Sequence, residues 1–253
     1  MLFRSQARFL YRVTRPITLN DVVNRFDRRM WAGLRYVLFR KGPLAVSAGY
    51  AGGFFRTDPR LESPDVQAHV LLFSADKPGG SLHPWPGMTA SICQLRPESR
   101  GTIRIKSADP ADAPEIRLNY LSTEGDKRTM VQGLQLLRRI MAAPALRPHV
   151  AEERDPGPSV SSDADLLAFI RARGTTIFHP ASSCRMGVDD AAVVDPELRV
   201  KGVGRLRVAD ASVMPTVVSG NTNAATIMIG ERCADFLLQP APGASFARLD
   251  GVK

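Results

Sequence analysis

Residues 204–238 run strand, loop, helix, and no pattern ahead of them accounts for that unit. "GRLRVADAS" (204–212) reads as a short strand of parallel type that ends in Asp210 and a small residue. "VMPTVVSG" is a loop. "NTNAATIMIGERCADFLLQ" begins a helix with Ala225, Met228, Ile229, Arg232, Cys233 and Phe236 along one side. Asn221 or Asn223 can cap it. Parallel strands are joined by long crossovers, usually helical, and no βαβ pattern precedes residue 204. The chain is therefore expected to carry the last strand and helix of a parallel sheet, beside a body built on other lines.

That body alternates short strands with helices. "PITLNDVVNRFDRRMWAGLRYVLFRKGPL" places Val22, Val23, Phe26, Met30, Leu34, Val37 and Leu38 at helical spacing, and Gly42-Pro43 ends it. "SAGYAGGFFRT" is Gly-rich and reads as irregular. "DVQAHVLLFS" (65–74) reads as a buried strand. "MTASICQLRPESRGTIRIKSAD" reads as a hairpin turning at "RPESRG", with Ile103 and Ile105 alternating with Thr102, Arg104 and Lys106. "TMVQGLQLLRRIMAAPAL" is a helix with Met130, Leu134, Leu137 and Met141 on one stripe, ending before Pro144. "ERDPGPSVSS" is a loop, and Ser162 caps the helix "DADLLAFIRAR". The class is α+β, and 253 residues suffice for one large or two ordinary domains.

Several functions are excluded or disfavoured by what is missing. No apolar run approaches the ~18 residues of a membrane span. Cys93, Cys184 and Cys233 are far apart and form no CxxC, which argues for a reducing compartment and a cytoplasmic location. The net charge of +9 is spread along the chain without a basic run or an RNA- or DNA-binding motif, so no nucleic-acid partner is expected. There is no Walker A and no GxSxG elbow. "KGVGRLR" starts like a dinucleotide loop, but Arg207 stands where the third Gly belongs, and a strand follows where one should precede. His179 and Cys184 lack a second pair of ligands, so no metal is expected.

Two features carry chemistry. The first is "HPASSCRMG" (179–187), which holds one of only four histidines. A lone His is commonly a hydrogen-bonded core residue; the alternative is a base. Pro180 disfavours helix at His179 and keeps it extended. The second is the start of the C-terminal helix, whose open N–H groups suit an anion or a carbonyl gaining charge; the alternative is a plain cap.

Taken together these segments resemble a known family. "HPASSCRMG" followed by "VVDPELRVKGVGRLRVADASVMPTVVSGNTNAATIMIGERCADFL" is similar to the C-terminal signature of the glucose–methanol–choline (GMC) oxidoreductases. The usual form is HPxGTCRMG, then DPxLRVxGxxxLRVxDASxMP, then SGNTNAPTxMIxExxAD. "CQLRPESRGTIRIKSADPADAPEIRLNYLS", "PITLND" and "LRYVLFRKGPL" resemble further family segments, so the likeness runs from about residue 11 to 238 and is closest to the choline and alcohol dehydrogenase branch.

The resemblance implies FAD as cofactor, a small-molecule alcohol as substrate, and hydride transfer from the alcohol carbon to flavin N5. It implies that His179 is the base and that Asn221 faces it as the second catalytic residue. A neutral imidazole titrates near pH ~6.5 and can take an alcohol proton, while Asn can bond the developing alkoxide without titrating. Asp210, Ala211, Asn221, Thr222 and Asn223 match the positions beside the flavin. Ser182-Ser183 replaces the usual Gly-Thr, and Ala225 a common Pro.

The family's GxGxxG strand and the rest of its flavin-binding half have no counterpart here. "FLYRVTRPITLND" resembles internal family sequence, so the Arg-rich "MLFRSQARFLYRVTR" is not read as a transit peptide, and the first ten residues are expected to be a false start. The implied organisation is a GMC substrate-binding domain over 1–175, irregular near its N-terminus. The C-terminal piece of a Rossmann-like FAD domain follows over 176–240, then a tail over 241–253. Two readings stand. In one, the chain is the catalytic and substrate-binding part of an FAD-dependent enzyme, inactive alone and completed by a separately encoded N-terminal FAD-binding half. In the other, it is a non-catalytic remnant or a partner-dependent module.

Overall fold

A computed structural model describes residues 4–47, 49–77 and 79–238; the expected tail lies outside the described residues. In chain order the strands are β1 (Ser5–Val13), β2 (Ala51–Phe55), β3 (Val66–Leu71), β4 (Gly87–Gln94), β5 (Thr102–Arg104), β6 (Glu115–Arg117), β7 (Val150–Asp155) and β8 (Thr175–Thr176). The α-helices are α1 (Leu19–Val23), α2 (Phe26–Phe39), α3 (Glu124–Met141), α4 (Asp163–Arg173) and α5 (Asn223–Leu238). The chain divides into two compact units. Among the described residues one comprises Arg4–Ser99 and Tyr120–Phe178; the other comprises Arg100–Asn119 and residues 179–238. Among the described residues no helix is long and apolar enough to cross a membrane.

The first unit is an antiparallel sheet covered on one face by helices, the α+β arrangement expected. Strand order is β2-β3-β4-β1-β7, with β8 on the start of β1. Period-two alternation turns Ala7, Phe9, Tyr11 and Val13 of β1, Val66 and Ala68 of β3, and Met88, Ala90 and Ile92 of β4 into one core. Met130, Leu134, Leu137 and Met141 of α3 close that core from above, joined by Leu166, Phe169 and Ile170 of α4. Both helices are capped as their residue types dictate: Thr123 accepts from the Asp126 N–H, and Ser162 from the Asp165 N–H. Cys93 lies on the sheet's opposite face, where burial pushes its thiol up to about 11.

Five expectations need correction. Residues 5–10 are not irregular; they belong to β1, an inner strand between β4 and β7. Their basic composition hides an inward alternation. The long N-terminal helix breaks at Asn24–Arg25 into α1 and α2, because Asn20 and Asn24 both donate to the His83 carbonyl and tie α1 to that loop. "SAGYAGGFFRT" contains β2, which pairs with β3 along its whole length; a Cβ on Gly52 would stand 3.0 Å from the Ala68 carbonyl, so glycine permits the approach. The hairpin at "RPESRG" does not form. β4 already has β1 and β3 on its two edges, and the Asp126 carboxylate takes the N–H groups of Glu98 and Ser99, turning the chain away; β5 pairs with β6 instead. Finally, residues 153–155 of the expected loop end β7, a charged edge strand.

Loop 74–83 is latched by Ser74, His83 and Asp76. His83 Nδ1 meets Ser74 Oγ at 3.0 Å and Nε2 meets Asp76 Oδ1 at 3.3 Å. The order resembles a hydrolytic triad, but Ser74 is fully buried and out of substrate reach.

Candidate active site

The second unit is held by short turns around a small core of Ala181, Val194, Leu198, Val213, Met214, Val217, Ile229 and Cys233. The "RLRVAD" segment forms no ladder: Arg205 lies in a turn with φ 61°, and among the described residues the segment's one pairing is an antiparallel bridge from Arg207 to Arg199. A segment becomes a regular strand only where a neighbour offers successive partners, and here the neighbour is the tight turn after Asp195, which accepts from the Glu197 and Arg199 N–H groups. The parallel strand expected there is thus absent among the described residues, while α5 forms as expected. Ile229 and Cys233 of its predicted stripe are buried; Met228 is exposed.

These turns bring the two signature segments side by side. The N–H groups of Cys184 and Met186 donate to the carbonyls of Ser212 and Val213 at 3.0 and 2.8 Å. Ser182 Oγ donates to the Pro215 carbonyl at 3.3 Å. "HPASSCRMG" is therefore laced to "DASVMP", the segment that leads into α5. Asp210 opens this stretch, its carboxylate accepting from the Ser212 N–H at 2.7 Å, and Ala211 begins a single 3₁₀ turn.

His179 sits where the lacing begins. Its Nδ1 is 2.9 Å from Thr222 Oγ1, and its Nε2 is 3.5 Å from Asn221 Nδ2. Residues 42 apart in sequence thus meet at one imidazole. Thr222 is buried while Asn221 and Asn223 are exposed, so the ring is gripped from within and addressed from the open side. Of the expected site residues, His179, Asn221 and Thr222 form one contact group. Asp210 and Ala211 lie on the segment laced to it, and Asn223 is the first residue of α5. The grip of Thr222 on Nδ1 was not anticipated; its only sequence signal is a cap-type residue directly before a helix. Among the described residues no three His, Cys, Asp or Glu gather as a metal site.

The backbone around His179 is strained. Phe178 has φ 60° and Ser182 φ 68°, left-handed values that cost an L-residue ~1–2 kcal/mol. Ser182 is where the family pattern has Gly. Ser182→Gly should therefore be more stable than Ser182→Ala by about 1 kcal/mol in chemical denaturation, since both lose the hydroxyl and only Gly relaxes. Equal midpoints would remove the strain argument.

Comparison with known proteins gives the family. A family model described as GMC oxidoreductase matches residues 97–230. The alcohol dehydrogenase [acceptor] of Pseudomonas putida is 44% identical over 210 residues, covering 83% of this chain and 38% of that protein. The oxygen-dependent choline dehydrogenase of Vibrio vulnificus is 39% identical over 236 residues, covering 92% and 42%. Among solved structures, a formate oxidase of Aspergillus oryzae RIB40 studied for its FAD modification superposes with TM-score 0.83 at 24% identity, over 93% of this chain and 46% of that one. The chain spans about two fifths of the length of the curated relatives it matches. With more than half its residues matched and its signature segments folded together, the chain belongs to the GMC oxidoreductase family.

Proposed function

We propose that this chain supplies the base-bearing wall of an FAD-dependent enzyme that oxidises a primary alcohol, choline among the candidates, to the aldehyde. The observation that carries the reading is the His179–Asn221 pair at 3.5 Å, with Thr222 holding the far nitrogen. The tautomer protonated at Nδ1 serves both contacts: Nδ1–H donates to Thr222 Oγ1, and the Nε2 lone pair faces Asn221. At 3.5 Å this second contact is at the limit of a hydrogen bond, which leaves a third polar atom room to bind both groups. A substrate hydroxyl there gives its proton to Nε2, and the Asn221 N–H meets the oxygen as it gains negative charge.

The residues present fit the ring of FAD and not its pyrophosphate. Exposed carboxamides at Asn221 and Asn223 and the N–H groups opening α5 are neutral donors suited to a ring that gains electrons. Asp210, Ala211, Asn221, Thr222 and Asn223 would hold that ring. Among the described residues no Gly-rich turn leads from a strand into a helix, the element that cradles a pyrophosphate. Bound FAD supplies the hydride acceptor that no side chain can.

The test is the visible spectrum of the purified chain, alone and mixed with the FAD-binding half of a relative. Three missing charge-assisted hydrogen bonds at ~1.5 kcal/mol each weaken FAD binding by ~10³, so the chain alone should be colourless. The mixture should turn yellow and bleach when a primary alcohol is added without oxygen. Stoichiometric flavin on the isolated chain would end the partner reading. A yellow mixture that no primary alcohol bleaches would end the alcohol reading.

A further inference from the structure

We propose that α2 is a surface anchor whose outward face docks on a bilayer carrying anionic lipid. The helix is mounted the opposite way from a helix of a soluble domain. Ala32 is its one buried residue, and on that side Arg28 donates to the Pro16 carbonyl at 3.2 Å. Phe26, Met30, Trp31, Leu34, Val37 and Leu38 are each between 49% and 71% exposed. With 3.6 residues per turn these six share an arc centred roughly 170° from Ala32. Such an arc ordinarily faces a core; here it faces solvent.

Charge selects the occupant. An apolar arc alone would suit a protein partner as well as a lipid surface. Across residues 25–41, however, Arg25, Arg28, Arg29, Arg35, Arg40 and Lys41 stand against the single acid Asp27, which is neutralised by Arg25 at 2.9 Å. On the helix wheel Arg29 and Arg35 border the apolar arc on its two sides, where long side chains can reach a headgroup while their stems lie on hydrocarbon. Trp31 belongs to the arc, and its ring type favours the membrane–water boundary. Asp27 falls inside the arc in the first turn, where Arg25 pairs with it; from Met30 onward the apolar stripe is unbroken, and with its basic edges and aromatic it has the composition of a helix lying in an interface. At 14 residues it is too short to span the ~20-residue depth of a bilayer.

The experiment is co-sedimentation of the full chain with vesicles. One set is phosphatidylcholine alone, and the other includes about a third phosphatidylglycerol to supply surface charge. The chain should pellet with the anionic set only, leave it as salt rises, and shift Trp31 emission to the blue; Trp31→Phe should lose the shift. Arg29→Gln with Arg35→Gln should weaken partitioning about 30-fold, the equivalent of ~1 kcal/mol per residue. Leu34→Asp with Val37→Asp should abolish it, and these exposed positions leave the core untouched. No binding to anionic vesicles at low salt, or equal binding to neutral ones, overturns the proposal. Binding that vanishes once a flavin-binding half is assembled also overturns it, by assigning the face to that half. So does a dimer that the Asp variants dissociate with vesicle binding unchanged.

Discussion

Alanine at position 179 should lower turnover of the assembled flavoenzyme by roughly 10²–10⁴-fold, the range of a lost general base. The geometry makes the expectation specific. His179 has Thr222 on Nδ1 and Asn221 at Nε2, so in the function proposed above one ring nitrogen is held and the other meets substrate. Thr222→Val keeps the shape of a buried side chain and removes only the support; a loss of about tenfold is expected, the equivalent of one hydrogen bond. A merely structural Thr222 would leave the pH profile of turnover unchanged, whereas a positioning one should move it. The readout is the anaerobic bleaching rate of the flavin under excess alcohol. If His179→Ala loses less than tenfold, the imidazole is a hydrogen-bonded core group, the other reading its sequence allows.

What the sequence makes legible follows from how far each signal reaches. The α3 stripe of Met130, Leu134, Leu137 and Met141 is a local period, and all four residues are buried where the period puts them. The caps at Thr123 and Ser162 are local as well, and only Ser162 stood before a helix start that was anticipated. Strands depend on partners. β1 has a clear inward alternation, yet an Arg-rich leader-like composition masks it. "RLRVAD" has strand residues and no neighbour to make a ladder. The α2 period identifies an apolar face and cannot say which way that face is turned; the structure turns it outward. The meeting of His179 with Asn221 across 42 residues has no local signature at all. It was reachable only because long stretches of sequence resemble a family whose members bring these segments together.

Replacing Arg138 should destabilise the first unit by about 3 kcal/mol, the lower end for breaking a largely desolvated ion pair. Arg138 leaves α3 and enters a junction of three elements. Its guanidinium bonds both oxygens of Glu153 on β7, at 3.0 and 2.6 Å. It donates to the carbonyls of Val160 at 2.7 Å and Gly157 at 3.2 Å, and its Cζ lies 4.8 Å from the centre of the Phe9 ring on β1. Only 23% of the Arg138 side chain and 12% of Glu153 are exposed, so solvent screening is weak. Tyr11 donates to the same carboxylate at 3.2 Å; burial first, and then the Glu153 charge, push its phenol up and keep it a donor. Arg138→Ala strands that carboxylate and removes a clamp between helix, sheet and loop. Glu153→Gln keeps an acceptor for Tyr11 and loses the charge, so it should be milder. The double variant Arg138→Ala with Glu153→Ala should be less damaging than the sum of its singles, because neither charge is then left alone. Denaturant midpoints of the three variants decide the matter. Additive losses, or an Arg138→Ala cost below about 1 kcal/mol, would reduce the pair to an ordinary surface contact.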